Sequence, residues 1–326
     1  MQIIPLAFFL VMVEFAVGSV LSLFVLDLRN DSSRDFFRLQ ALINFLLTLL
    51  AWATQNGFAT PHQLHLDGFN LDDRWLNWQP ALLGWFLWLQ IPSMISLSVK
   101  QWRPAQLLFG SVTAALGVGV LLVDGMGLRP IATAHLGGFF TVATFMLGAL
   151  AVGGVTTAML LGHWYLNTPT ASGKPLEFAT WLTISGIALQ IGCGLLIGPA
   201  TYVAPKVTAT NVLPVSTSVL HHAVTTASQP LVYPILTTTP TTSPNTSTTP
   251  TTPLPVPHGV SFPTWVLILL QYVLGLGVPL GLSVIALRLE RERSFQSATG
   301  MLYIAVVFTF FGEILSSGLF LRPLVG

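Results

Sequence analysis

Residues 3–27 read IIPLAFFLVMVEFAVGSVLSLFVLD, an apolar run in which Glu14 is the only charge before Asp27. About 20 such residues allow a helix to cross roughly 30 Å of hydrocarbon. Met1-Gln2 supplies no basic region ahead of the run, and no small-residue cleavage site follows it. We therefore expect this segment to be retained as a first membrane span and not removed as a signal peptide.

Seven further segments meet the same length criterion, at 38–59, 79–99, 105–127, 136–164, 177–203, 263–287 and 298–320. The whole chain of 326 residues is 52% hydrophobic and 8% charged, whereas soluble domains carry about 25% charged residues. The sequence therefore predicts an all-α integral membrane protein with eight transmembrane helices, surrounded by the lipid bilayer.

The composition also excludes several classes of function. Thirteen basic and 12 acidic residues leave a net charge of +1, so no basic face is available for nucleic acid. The only cysteine, Cys193, lies in an apolar segment, which excludes a disulfide framework or a thiolate zinc site within one chain. No Walker loop, dinucleotide fingerprint or hydrolase motif is present, so we expect no nucleotide partner. Whether the chain is an enzyme stays open, with these absences arguing against it.

Basic residues near span ends mark the cytoplasmic side of a membrane protein. Nine of the 13 lie in the first, third, fifth and seventh loops: Arg29, Arg34, Arg38, Lys100, Arg103, Lys174, Arg288, Arg291 and Arg293. The other four lie on the opposite side: Arg74, Arg129, Lys206 and Arg322. We therefore predict that both termini are outside, and we expect the membrane to be the bacterial cytoplasmic membrane.

The loop between spans six and seven has an abrupt change in composition. From Thr237 to Pro253 every residue is Thr, Ser or Pro except Asn245. Such a stretch cannot bury apolar surface. We expect residues 205–262 to form an extended loop on the outside, inserted where the first half of the chain has residues 60–78.

The two halves of the chain share short motifs in the same order. The matched pairs are residues 16–20 with 151–155, 97–99 with 282–284, Pro92 with Pro279, and 128–130 with 321–323, the last pair both reading Leu-Arg-Pro. Each half begins and ends outside, so the pattern predicts two parallel-repeat four-helix bundles with a cleft between them, and with corresponding kinks at the two prolines. The alternative is an accidental match between apolar segments of limited alphabet.

This duplication defines the expected domain boundaries. The first repeat is residues 1–130, and the second is residues 131–204 together with 263–326. The Thr/Ser/Pro-rich loop at 205–262 interrupts the second repeat between its second and third spans. Small residues in the spans, such as the Gly153-Gly154 pair, indicate helix-contact faces, because helices in lipid associate by close approach.

Two carboxyl groups lie deep within the predicted spans. Glu14 is near the middle of span one, and Glu313 is within span eight. A charge at such a depth costs at least a few kcal/mol, so each side chain should face the interior, carry a proton, or both. We predict a proton- or ligand-binding cavity at these residues, with Gln90, Gln190 and Gln271 as further polar groups that line it. The alternative is a purely structural hydrogen bond between helices.

A haem held between histidines on facing helices is not expected. None of the seven histidines is central to a span. His135 and His163 lie at opposite ends of span five, roughly 42 Å apart at a rise of 1.5 Å per residue, so they cannot share an iron. A duplicated bundle of the haem A synthase type is therefore contradicted.

Two further groups of residues suggest weaker sites. His62, His65 and Asp67 have a spacing from which two imidazoles and a carboxylate can bind a divalent metal, against the alternative of a solvated polar loop. His163, Trp164 and Tyr165 form a dense interfacial group at the end of span five. We interpret this group as a membrane-boundary anchor, with docking of a cytoplasmic partner as the alternative.

Three functions fit these features. In span number and two-bundle layout the chain resembles the NrfD-type quinone-interacting membrane subunits, which implies a membrane subunit of a redox or respiratory assembly. Such a subunit offers quinone or protons a path along Glu14 and Glu313, while partner subunits hold the metal centres. The second hypothesis is a secondary transporter with the same carboxyls at its midplane. The third is a non-catalytic scaffold or assembly factor.

Overall fold

The computed structural model describes residues 3–29, 32–57, 73–99, 102–131, 138–168, 173–197 and 263–321. These residues are almost entirely helical, and eight of the helices are long and apolar enough to cross a membrane. They belong to one compact unit, whereas residues 204–261 form a second unit that lies outside the described residues. The prediction of an all-α chain with eight helices that are long and apolar enough to span a membrane is confirmed.

The first half contains α1 (Ile3–Arg29), α2 (Arg34–Gly57), a single turn α3 (Asp73–Leu76), α4 (Gln79–Ser98) and α5 (Arg103–Gly127), followed by a short 3-10 turn (Arg129–Ile131). The second half contains α6 (Gly138–Asn167), α7 (Lys174–Ile197), α8 (Thr264–Leu270), a π-helical segment (Gln271–Gly277), α9 (Val278–Arg291) and α10 (Phe295–Leu321). The seventh span is continuous through α8, the π-helical segment and α9. Each predicted span coincides with one of these helices or, for the seventh, with this continuous run of three segments, with ends displaced by a few residues.

Prolines mark several helix starts, where the missing amide hydrogen would have no intrahelical partner. They lie in the first turn of α1, α4, α5 and α7, as Pro5, Pro80, Pro104 and Pro175. The residues directly before α9 are π-helical, so the seventh span changes its hydrogen-bonding pattern next to Pro279. Pro92, by contrast, lies inside the continuous helix α4.

The helices pack as two closed rings. In the first ring α1 packs on α2 and α5, α2 packs on α4, and α4 packs on α5. In the second ring α6 packs on α7 and α10, while α9 packs on both α7 and α10. The rings meet where α1 packs on α6 and α10, and where α5 packs on α6. Helix α1 is therefore central, and 78% of the residues in its most apolar stretch are buried.

The crossing of α1 and α6 depends on glycine. A Cβ atom on Gly18 would collide with the backbone of Ala149, and one on Gly153 would collide with the backbone of Gly18 itself. Since neither backbone can yield locally, only glycine permits this approach. A similar backbone contact joins Gly275 of the π-helical segment to Gly312 of α10.

Ion pairs cluster at one end of the molecule, where α1 ends and α2 begins; we call this the basic end. The guanidinium of Arg103 lies 2.6 Å from the carboxylate of Asp27, which is buried. Arg291 and Glu177 form a second pair at 3.0 Å, with 57% and 37% of their side chains exposed. These contacts tie α1 to α5 and α7 to α9.

Candidate functional site: a buried carboxyl cluster

Glu14 and Glu313 meet at the junction of the two rings. Each is 3% exposed, and both point toward Gly148 of α6. A Cβ atom on Gly148 would lie 2.9 Å from Oε2 of Glu313 and 3.3 Å from Oε2 of Glu14. The two carboxyl oxygens are therefore separated by no more than the sum of these short distances. The space that holds them exists because residue 148 has no side chain.

Asp124 of α5 is a third acidic member of this region. It is 1% exposed, and it interacts electrostatically with Glu14. It lies three residues before Gly127, the last residue of α5, so it is closer than Glu14 to the end opposite the basic end. Sequence reasoning did not select Asp124, because a carboxylate near a span end is ordinarily solvated. We call Glu14, Asp124 and Glu313 the carboxyl cluster.

Hydrogen bonding in the cluster is incomplete. Nε2 of Gln190 donates to Oε1 of Glu313 at 2.6 Å. Among the described residues, no donor reaches Oε2 of Glu14 or either carboxyl oxygen of Asp124, and Oε1 of Gln190 is also without a partner. Buried polar atoms in proteins nearly always have a partner, so these atoms require a proton, an ordered water or a bound ligand.

The cluster has no buried basic counter-charge in the described part of the chain. Every Lys and Arg side chain there is at least partly exposed. The three salt bridges found within these residues join Asp35 to Arg38, Asp27 to Arg103 and Glu177 to Arg291, all near the basic end. The negative charge of the cluster is therefore not balanced by a neighbouring side chain.

The three predicted glutamines lie in different places. Gln190 belongs to the cluster through its hydrogen bond to Glu313. Gln90 instead donates to Oγ1 of Thr48 at 2.7 Å, inside the first ring. Gln271 is the first residue of the π-helical segment and is half-buried. The structure thus brings together Glu14, Glu313 and Gln190 from the five predicted residues.

The group at the end of span five is packed more deeply than an interfacial anchor. Tyr165 is 3% exposed and stacks on Phe295 at 5.5 Å between ring centroids. Trp164 makes an edge contact with Phe36 at 6.3 Å. Only His163 of the three is exposed, with Nδ1 3.3 Å from the hydroxyl of Tyr303. Partner docking at this site stays a prediction.

The predicted metal site at His62, His65 and Asp67 lies outside the described residues. Within the described ranges, no group of three His, Cys, Asp or Glu residues has a geometry that would hold a metal ion. His163 is the one histidine of the seven that these ranges include, so the expectation about haem stays a prediction.

Comparison with known proteins found no matching family model, no matching curated protein and no matching solved structure.

Proposed function

We propose that this chain carries protons within a membrane, at the carboxyl cluster between its two helix rings. The observation that supports this most directly is the set of carboxyl oxygens on Glu14 and Asp124 that are buried without a partner. An ionised carboxylate is costly to bury unless it is paired, and a proton neutralises it at the lowest structural cost. Glu14 and Glu313 both face the space beside Gly148, and this nearness lets a proton move from one carboxyl to the other.

The assembly that best suits this role is of the redox or respiratory type. In it, the chain is a membrane subunit that provides a proton-accessible path, while other membrane or peripheral subunits perform the electron transfer. Quinone remains a further proposal for this chain. A groove of about 300 Å³ lies between α8 and α10, but it is lined by Leu267, Leu270, Phe311, Ile314, Leu315, Gly318 and Leu319. These side chains suit a hydrocarbon tail and offer no donor to a quinone oxygen.

We further propose that the chain arose by duplication of a four-helix unit. When the two halves are exchanged, the eight spans still pack on the same partners, since each ring closes in the same order and α1 packs on α6. In the alignments of residues 16–20 with 151–155 and of 105–130 with 298–323, Asp27 corresponds to Gly162 and Gln106 to Thr299. Asp27 accepts a hydrogen bond from Gln106, and Gly162 lies directly against Thr299.

The proposed orientation follows the distribution of basic residues. The basic end faces the cytoplasm of a bacterial cell, and both termini and the Thr/Ser/Pro-rich loop are outside. The ends of α1, α4 and α9 and the starts of α2, α5 and α10 would then lie on the cytoplasmic side. In this orientation Asp124 is the member of the carboxyl cluster nearest to the outer surface.

Proton flux tests the proposal. The purified chain is reconstituted into liposomes that contain a pH-sensitive dye, and a potassium diffusion potential drives protons inward. Glu14→Gln and Glu313→Gln should each reduce the flux by about tenfold or more, because an amide cannot release a proton. Glu292→Gln removes an exposed carboxylate and serves as the matched control. Equal flux in the wild type and both variants would contradict proton carrying by the cluster.

The same preparation separates the alternatives. Copurification with partner subunits and quinone favours the redox assembly. Solute uptake by the chain alone, lost in Glu14→Gln, favours a secondary transporter, for which buried carboxyls at mid-depth are the supporting observation. Folded protein with neither property would leave the scaffold or assembly factor.

A further inference from the structure

One more carboxyl group is buried in the second ring, away from the cluster. Glu290 of α9 is 5% exposed and lies one residue before the end of its helix. Its Oε1 accepts a hydrogen bond from Oγ1 of Thr180 at 2.6 Å. Its Oε2 has no partner among the described residues. The first ring has its own carboxylate at the basic end, Asp27, but that one is paired with Arg103.

Glu290 lies just beneath the surface of the basic end. Arg291, the next residue, pairs with Glu177 of α7, and this pair is exposed to a substantial degree. Glu177 precedes Thr180, the partner of Glu290, by three residues, which is about one helical turn. Glu290 therefore lies about one turn inward from a charged rim that water reaches.

One face of α7 connects Glu290 to the carboxyl cluster. Its buried residues Thr180, Thr183, Ile187 and Gln190 recur at intervals of three and four, which keeps them on one side of the helix. Thr180 holds Glu290 at one end of this face, and Gln190 holds Glu313 at the other. The two contacts are about 15 Å apart along the helix axis at 1.5 Å per residue.

Two polar side chains lie along this path inward from Glu290. Ser283 lies two turns before Glu290 on α9 and is fully buried, with its hydroxyl lacking a partner among the described residues. On α7, Thr183 lies about one turn inward from Thr180, against Gly154 of α6. A hydroxyl can both donate and accept a hydrogen bond, so these groups are able to order water between them.

A small apolar cluster packs around α7 between Thr183 and Gln190. Ile187 of α7, Leu276 of the π-helical segment and Ala151 of α6 form it, with Leu280 packed against them. Ile187 is 0% exposed and lies between Thr183 and Gln190 on the polar face of α7. Leu276 lies in a π-helical segment. Such segments inside α-helices are frequent at functional sites.

We propose that Glu290 is the entrance of a proton path through the second ring, and that Ile187 and Leu276 form the barrier within it. This inference rests on the proposed function, since it takes Glu313 as the proton acceptor. A proton from water binds the carboxylate of Glu290 and crosses to the carboxylate of Glu313 when water bridges the barrier. Glu290 returns to its ionised form, and no electron moves.

Hydrogen–deuterium exchange of the buried carboxyls tests the barrier. Infrared spectroscopy of the full chain in liposomes records the C=O band of protonated carboxyl groups after transfer to D₂O, and Glu313→Gln identifies the band of Glu313. Ile187→Ala should make this band exchange about tenfold faster, because water crosses a shortened barrier more often. Leu189→Ala removes a similar side chain from the exposed face of α7 and should leave the rate unchanged. If Ile187→Ala does not fold, Leu276→Ala is measured in its place.

The entrance is tested by Glu290→Gln in the same spectra and in the flux assay. Both the exchange of the Glu313 band and the proton flux should fall by about tenfold. Flux that is lost in Glu313→Gln but is unchanged in Glu290→Gln would overturn this inference and leave the proposed function intact. Flux that is unchanged in both variants would overturn the proposed function. An exchange rate of the Glu313 band that is unchanged in both Glu290→Gln and Ile187→Ala would also overturn this inference. It would mean that protons reach Glu313 from the opposite end of the molecule.

Discussion

Replacing Gly148 with alanine separates the role of the carboxyl cluster from its contribution to folding. The added Cβ would lie 2.9 Å from Oε2 of Glu313 and 3.3 Å from Oε2 of Glu14, which is closer than ordinary van der Waals contact. The atoms that it meets are the ends of flexible side chains, so the two carboxyls can swing apart without moving a helix. We expect the structure to relax by displacing them.

The magnitude follows from two opposing effects. Alanine in a helix interior is favoured over glycine by about 0.5–1 kcal/mol, whereas crowding in a packed core costs about 1–3 kcal/mol. Because the crowded atoms are mobile, we expect the lower end of that cost and a net change in stability of about 1 kcal/mol or less. Displacing Glu313 strains its 2.6 Å hydrogen bond with Gln190, which contributes about 0.5–1.5 kcal/mol when Glu313 is protonated and about 1.5–3 kcal/mol when it is ionised.

Proton flux should therefore fall by about ten- to a hundredfold in Gly148→Ala, while the unfolding temperature in detergent changes little. Gly192→Ala is the matched control, since a Cβ atom on Gly192 of α7 meets nothing within 4 Å. It should keep full flux. The reasoning would be refuted if Gly148→Ala conducted protons at the wild-type rate and its carboxyl C=O bands stayed in place.

Three further predictions concern packing and the first ring. Arg103→Gln should lower the free energy of unfolding by about 3 kcal/mol, because it leaves Asp27 buried and unpaired, and adding Asp27→Asn should restore most of it in denaturant titrations. Gly18→Ala should cost about 3 kcal/mol or more in the same titration, since the added methyl group meets backbone; a cost under about 0.5 kcal/mol would contradict the crossing described here. Gln90→Leu should leave proton flux unchanged, whereas Gln190→Leu should reduce it about tenfold; equal effects would argue against a separate role for the two amides.

The eight spans could be predicted from the sequence because the thickness of a bilayer sets the length of each apolar run. Glu14 and Glu313 could be selected because each is a lone charge within such a run. The contact of Glu14 and Glu313 at Gly148 could not be predicted. Most spans are apolar on every side, so hydropathy does not indicate which face of a helix is turned inward.

The missed residues share a physical cause. Asp124 and Glu290 lie near span ends, where a carboxylate normally reaches water, and nothing in their neighbours reveals that both are buried. The position of Tyr165 just after the predicted end of span five indicates an interfacial residue for the same reason, yet α6 continues to Asn167 and buries Tyr165 against Phe295. The position of a residue along a span indicates its depth but not its distance from the axis of the bundle.

The glycine crossing of α1 and α6 restricts how this molecule can move. Where Gly18 and Gly153 bring two backbones together, there is no side-chain layer to slide or repack, so this point acts as a fixed pivot. Any large motion must be a rotation about that pivot, with displacement growing toward the periphery. The seventh span packs mainly on α7 and α10, away from this pivot, and its π-helical segment gives it the least regular backbone of the described spans.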